Sequence, residues 1–196
     1  MNIFYLDPNP QVCAEMHCDK HVVKMIIEYA QLMSTAHRVL DGEEYTDLTA
    51  NGRRIKRWRL NDAREPDLMK ASHINHPSGI WCRSNRDNYI WLYHMWYNLC
   101  KEYTYRYGKV HSCTRLNDHL YFPPNKIIKS QFYPPTPAMP IEAKVIAEVE
   151  IPGRKYDTLL SYHKYYIEHK NRFAKWTKRS VPVWYIEGLN KHNANV

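Results

Sequence analysis

Apolar residues near the start of the chain recur at helical intervals. Advancing about 100° per residue, Val12, Met16, Val23, Ile26, Ile27, Ala30 and Met33 gather on one side, the pattern of a buried stripe. Asp7-Pro8 supplies a cap and a first-turn proline, and Asp41-Gly42 a stop, so one long helix is predicted from there to about Leu40. A second helical region begins at His76 or Pro77. Asn85 recaps it through "NRDNYIWLYHMWYNLCKEYTYRY" to Gly108. A third helix is predicted over Asp157–Lys175, with Leu159, Leu160, Tyr162 or His163, Tyr166, Ile167 and Phe173 as its stripe. The tail "KWTKRSVPVWY" reads as extended past Pro182. Residues 41–74 form a polar, charged insertion in which "RRIKRWRL" alternates basic with apolar residues, as a short strand or hairpin arm does. Residues 109–155 are proline-rich and irregular. The expected fold is therefore all-α, a single domain over residues 1–196 built on three main helices with long connections.

Composition changes the picture by pointing to a partner. The formal charge is +8 with 28 Lys and Arg, and aromatics make up 13% of residues. Cations interleaved with rings suit a polyanion with stackable bases, so nucleic acid is the leading partner class and double-stranded DNA the expected partner, with a basic protein built on an aromatic core as the competing explanation. No apolar run approaches a bilayer span and no signal peptide is visible, which predicts no membrane contact and a cytoplasmic location (a host's cytoplasm, if the gene is a phage's). Five cysteines without a C-x-x-C pair read as reduced thiols. The oligomeric state stays open, with a monomer favoured.

Candidate chemistry lies on the first helix. His17, His21, Lys24, Glu28, Gln31 and Thr35 follow one another by fours and threes, so on one continuous helix they share a polar sector facing a cleft. The two histidines have the spacing of a helical zinc pair. Cys-Asp-Lys between them lacks the glutamate of such motifs, and Glu28 lies almost two turns from His21, so neither a metal nor another cofactor is expected. Amine chemistry fits better. Aromatic surroundings and an imidazolium would depress the Lys24 amine toward a nucleophilic state, with Glu28 beside it to stabilise an oxocarbenium-like sugar centre or move protons. A plain Lys24–Glu28 ion pair is the competing explanation. In "INHPSGIW", Asn75 and His76 precede a helix start whose free N–H groups suit phosphate, and Arg83 and Arg86 follow. Arg54 and Arg57 with Arg53, Lys56 and Arg59 make a phosphate-contacting arm, and "RSVPVWY" sets Arg179 before Trp184 and Tyr185, either a hydrophobic anchor for the C-terminus or an aromatic edge facing a groove.

"DKHVVKMIIEYAQLM", then "NHPSGIW" opening an aromatic helix, then a Pro-Val-Trp-Tyr tail resembles the pyrimidine-dimer DNA glycosylase family of the endonuclease V type, known from phages and bacteria. The resemblance covers the three helices, through Lys24, Glu28, Gln31 and Asn75-His76-Pro77, and leaves 41–70 and 110–155 unmatched. It implies a small all-α glycosylase with lyase activity. In that family an amine, in the best studied members that of a processed N-terminus, attacks the sugar C1′ and forms a Schiff base while a glutamate assists. The chain here begins Met-Asn, a pair that resists such processing, and an alignment through His17 places Lys24 near the family's glutamate. The expected function is thus a DNA glycosylase/AP lyase on damaged or modified pyrimidines. Lys24 or the Met1 amine is the nucleophile, Glu28 the sugar-stabilising carboxylate, and His17 and His21 move protons or hold phosphate. A DNA base-modifying transferase of phage type and a non-catalytic basic DNA-binding protein are the alternatives.

Overall fold

The computed structural model describes residues 1–151 and 154–194. Among these residues, seven α-helices and two small antiparallel sheets make a mixed, largely helical fold, which corrects the all-α expectation. The extended segment Ile3–Leu6 is fully buried at the centre of the core. Phe4 packs against His21, Tyr162 and Tyr166, and its N–H donates to Tyr29 Oη at 3.1 Å.

The predicted first helix is two helices, α1 (Pro10–Met16) and α2 (Asp19–Asp41). Its start lies two residues later than expected, because Asn9 rather than Asp7 caps it, accepting from Gln11 and Val12 N–H groups. The break at His17-Cys18 has a tertiary cause. The first N–H of α2 donates to Lys175 O at 2.8 Å, and Arg106 donates to both Asp19 and the Glu15 carbonyl. Partners from elsewhere in the chain thereby satisfy groups that both helix ends leave open. The apolar face moves as well. Val22, Met25, Ile26, Tyr29, Leu32, Met33 and Ala36 are buried, whereas Val23 and Ile27, expected in the core, are 43% and 49% exposed.

Gly42 joins α2 to a hairpin, since a Cβ there would lie 2.6 Å from Arg38 O. Strand β1 (Glu43–Leu48) pairs antiparallel with β2 (Arg54–Arg59), from Glu43 opposite Arg59 to Leu48 opposite Arg54. The alternation in "RRIKRWRL" is indeed that of a strand. Helices α3 (Pro77–Ser84) and α4 (Arg86–Tyr107) follow the expected division, with His76 and Asn85 as caps and Gly108 at φ 66° ending α4. Trp96 Nε1 donates to Ile26 O at 3.0 Å, locking α4 across α2.

The segment after Gly108 holds a short helix α5 (Asn117–Leu120) and a second hairpin, β3 (Val145–Ile151) with β4 (Arg154–Asp157). Helix α6 (Thr158–His169) is capped by Asp157 and stops six residues short of the predicted end. The tail is not extended. Val183–Ala194 form α7, whose first N–H groups reach Pro182 O. Proline fits there because it has no N–H to satisfy.

Candidate functional site

The predicted polar stripe does not stay on one face: His17 and His21 turn into the core, and Lys24 and Glu28 stay toward solvent. His17 is fully buried, with Nδ1 at 2.7 Å from Cys13 O and Nε2 at 3.0 Å from Tyr29 Oη. His21 stacks on Phe4 with centroids 4.1 Å apart, its Nδ1 2.5 Å from Tyr166 Oη. Burial pulls their pKa values down to about 4 and about 2, so both are neutral core groups. The proton-moving and phosphate-holding roles expected of them are corrected: neither faces solvent, and neither supplies an imidazolium to perturb Lys24. Among the described residues no cluster of His, Cys, Asp and Glu is arranged to hold a metal.

The exposed half of the stripe meets the amino terminus. The Met1 α-amino group lies 3.9 Å from Glu28 Oε2, and Lys24 Nζ lies 3.2 Å from Oε1 of the same carboxylate. Two primary amines thus converge on one carboxylate from different elements. Lys24 is 70% exposed, so the desolvation expected of it does not occur. The Met1 side chain is only 10% exposed, and Ser78 Oγ donates to the Met1 carbonyl at 3.0 Å, fixing this residue against the start of α3. Ser78 carries no signal in the sequence beyond its place after a helix-starting proline.

His76 completes the group. Its Nδ1 accepts from the Ser78 N–H at 3.2 Å, which assigns the proton of the neutral ring to Nε2. Burial first, then the positive charge of the Met1 amine, holds its pKa below the usual histidine value. A neutral imidazole whose Nε2–H has no partner among the described residues is a hydrogen-bond donor for a sugar or phosphate oxygen. By capping α3, His76 also occupies part of the helix start expected to hold phosphate. Asn75 beside it is exposed.

Other predicted contact residues serve to position this group. Gln31 Nε2 donates to Lys70 O at 2.8 Å, and Thr35 Oγ1 accepts from the Ser72 N–H at 3.3 Å. Arg83 Nη2 donates to Ile74 O at 2.7 Å, while its Nη1 is buried and without a partner among the described residues. Together they hold the 70–76 segment alongside α2. The wall of the site is this segment with Met1. It is not the helix-two aromatics: Tyr89, Trp91, Tyr93 and Trp96 are core.

The remaining predicted residues lie elsewhere. Arg54 is exposed on the hairpin, and Arg57 is half-buried opposite Tyr45. Arg86 is exposed at the start of α4, its backbone N–H donating to Ile128 O. Arg179 donates from Nε and Nη2 to the buried Glu102 carboxylate, at 2.8 Å from Nη2, so its charge is engaged within the protein. Trp184 stacks flat on His163 at 3.9 Å, and Tyr185 is buried against Trp176. Tyr185 anchors α7 in the core, while Trp184 with His163, Ile167 and Gly188 lines a surface cavity of about 490 Å³, away from the amine site residues.

No family model matches the chain, and no curated protein or solved structure matches it. No helix among the described residues is long and apolar enough to cross a membrane.

Proposed function

We propose that this protein is a DNA glycosylase/AP lyase that acts on damaged or modified pyrimidine nucleotides in duplex DNA through a Schiff base. The observation that carries the proposal is the convergence of the Met1 and Lys24 amines on Glu28. An amine attacks C1′ of the deoxyribose, and the base departs with the electron pair of the glycosidic bond. Glu28 accepts the proton that the ammonium must lose and faces the cationic sugar centre as it develops. The Met1 amine is the better placed of the two, because the Met1 side chain is largely buried and its carbonyl accepts from Ser78, whereas Lys24 extends into solvent. His76 Nε2–H donates to a substrate oxygen. Duplex binding draws on the charge of +8 and on Lys20 and Lys24, one turn apart on the exposed ridge of α2 that leads to Glu28. Val23 and Ile27, exposed on that ridge, offer apolar contact to unstacked bases.

The test is borohydride trapping on duplexes that carry an abasic site or an altered pyrimidine. A covalent protein–DNA adduct is expected, with peptide mapping placing it on Met1. Glu28→Gln should cut trapping at least about 100-fold, while Lys24→Met should retain most of it. Adding two residues ahead of Met1 should abolish it. Absence of any adduct, or full trapping by Glu28→Gln, refutes the proposal.

A further inference from the structure

Helix α4 carries an exposed aromatic and basic face built from residues that take no part in the amine site. Tyr97, Lys101 and Tyr105 stand four residues apart on one face, and the two rings are 38% and 50% exposed. They border a cavity of about 460 Å³, with Trp96, Cys100 and Thr104 on the same helix and Thr114 and Asn117 opposite. That volume falls within the usual range for small-ligand sites. From Tyr97 to Tyr105 the helix rises about 12 Å, roughly three steps of a stacked strand at about 3.4 Å each.

The cations this face offers are Lys101 and Lys178, because Arg179 is already paired with Glu102 and Glu15. Lys101 Nζ sits 4.4 Å from the Tyr97 ring centre, and Arg179 lies over Tyr105 at 4.6 Å. Lys178 donates to the Tyr105 carbonyl at 3.0 Å, and Tyr105 Oη donates to Lys178 O at 3.2 Å, so ring and cation are fixed together at the end of α4. No acidic residue lines the cavity. Its threonine and asparagine side chains already take part in hydrogen bonds. Thr104 donates to Cys100 O, Thr114 donates to His111 O, and Asn117 accepts from Tyr93. What remains for a ligand is chiefly π-surface and positive charge, with the Tyr97 hydroxyl as a further polar group. The Cys100 thiol is pushed well above its ordinary pKa by burial, so it offers no nucleophile.

We infer that this face of α4 binds unpaired nucleotides of a single-stranded nucleic acid, stacking bases on Tyr97 and Tyr105 and holding phosphates with Lys101 and Lys178, without sequence preference. Aromatic platforms beside cations bind single strands in this way, because every base has a π-face. The assignment is independent of the amine chemistry at Glu28, so each can fail without the other.

Anisotropy with a labelled twelve-nucleotide oligo(dT), and with an oligo(dA) of equal length, tests it. The Tyr97→Ala/Tyr105→Ala variant should bind both about tenfold or more weakly, with duplex affinity changed less than twofold. Tyr97→Phe/Tyr105→Phe should retain binding, since stacking needs the ring and not the hydroxyl. Lys101→Glu should weaken binding and reduce its salt dependence. Unchanged oligo affinity in the alanine variant, or an equal loss on duplex and single strand, overturns the inference. So does concentration-dependent dimerisation that the same substitutions abolish, because the face would then be a contact between copies of the chain. Glu28→Gln, which disables trapping under the proposed function, should leave oligo binding intact.

Discussion

At His17 both ring nitrogens are satisfied inside the core, one by Cys13 O and the other by Tyr29 Oη. Removing the imidazole opens a cavity and strips the tyrosine of one partner. His17→Ala should therefore cost about 2–4 kcal/mol of stability, read as a lower denaturant midpoint, with trapping per folded molecule unaltered. Loss of trapping at full stability would return His17 to the active site. Lys24 is the opposite case. Its pairing with Glu28 is mostly solvated, so Lys24→Met should shift stability by less than about 1 kcal/mol. The two residues look alike along the sequence, both polar and on the same nominal helical face. They differ because His17 is the C-cap of α1 while Lys24 is on the exposed side of α2.

Among the elements, the β1–β2 hairpin is where local pattern and charge can be separated. Five cations in residues 53–59 looked like one basic arm, but β1 sets three acids beside it. Lys56 is paired with Glu44 at 2.8 Å, and Arg57 is half-buried. Arg53, Arg54 and Arg59 remain exposed, Arg59 over the Tyr45 ring. Counterion release contributes about 0.9 to the logarithmic salt slope per phosphate contacted. Replacing Arg53, Arg54 and Arg59 with Ala should then lower the duplex-binding slope by roughly 2 to 3, with Lys56→Ala changing it little. An unchanged slope in an anisotropy titration would take the hairpin out of the interface.

For the molecule as a whole, buried histidines set the response to acid, and three of them are shifted furthest. Burial is the leading cause of depression for His17 and His37, each to about 4, and for His21, to about 2. The unfolded chain protonates all three near 6.5, so between that pH and the folded values unfolding takes up protons and stability falls as pH falls. Each histidine contributes up to about 1.4 kcal/mol per pH unit in that window. Asp19, Asp41, Glu65 and Glu102, held below their ordinary values, act lower: their contribution persists until pH approaches about 4. Urea melts should give nearly constant stability above pH 7 and a clear loss from pH 6.5 to 5. A flat profile over that range would mean that these imidazoles are solvated.

Local chemistry was enough to read α3 and α4, since Pro77, Asn85 and Gly108 act within a turn of where they stand. The same holds for the strand at 54–59, whose alternation is a two-residue property, and for the Asp157 cap of α6. Glu28 and His76 were legible as polar groups at helix-compatible positions. The burial of Ile3–Leu6, the break at His17-Cys18 and the helical tail were not. Each depends on partners far along the chain: Tyr162 and Tyr166 around Phe4, Arg106 and Lys175 at the break, and Trp176 and His163 against α7. Helical periodicity runs unbroken through residues 12–40, and only groups brought in from elsewhere make the interruption favourable. The approach of Met1 to Glu28 belongs with these, because it joins residues that no periodicity relates and only the packing of the amino-terminal segment brings together.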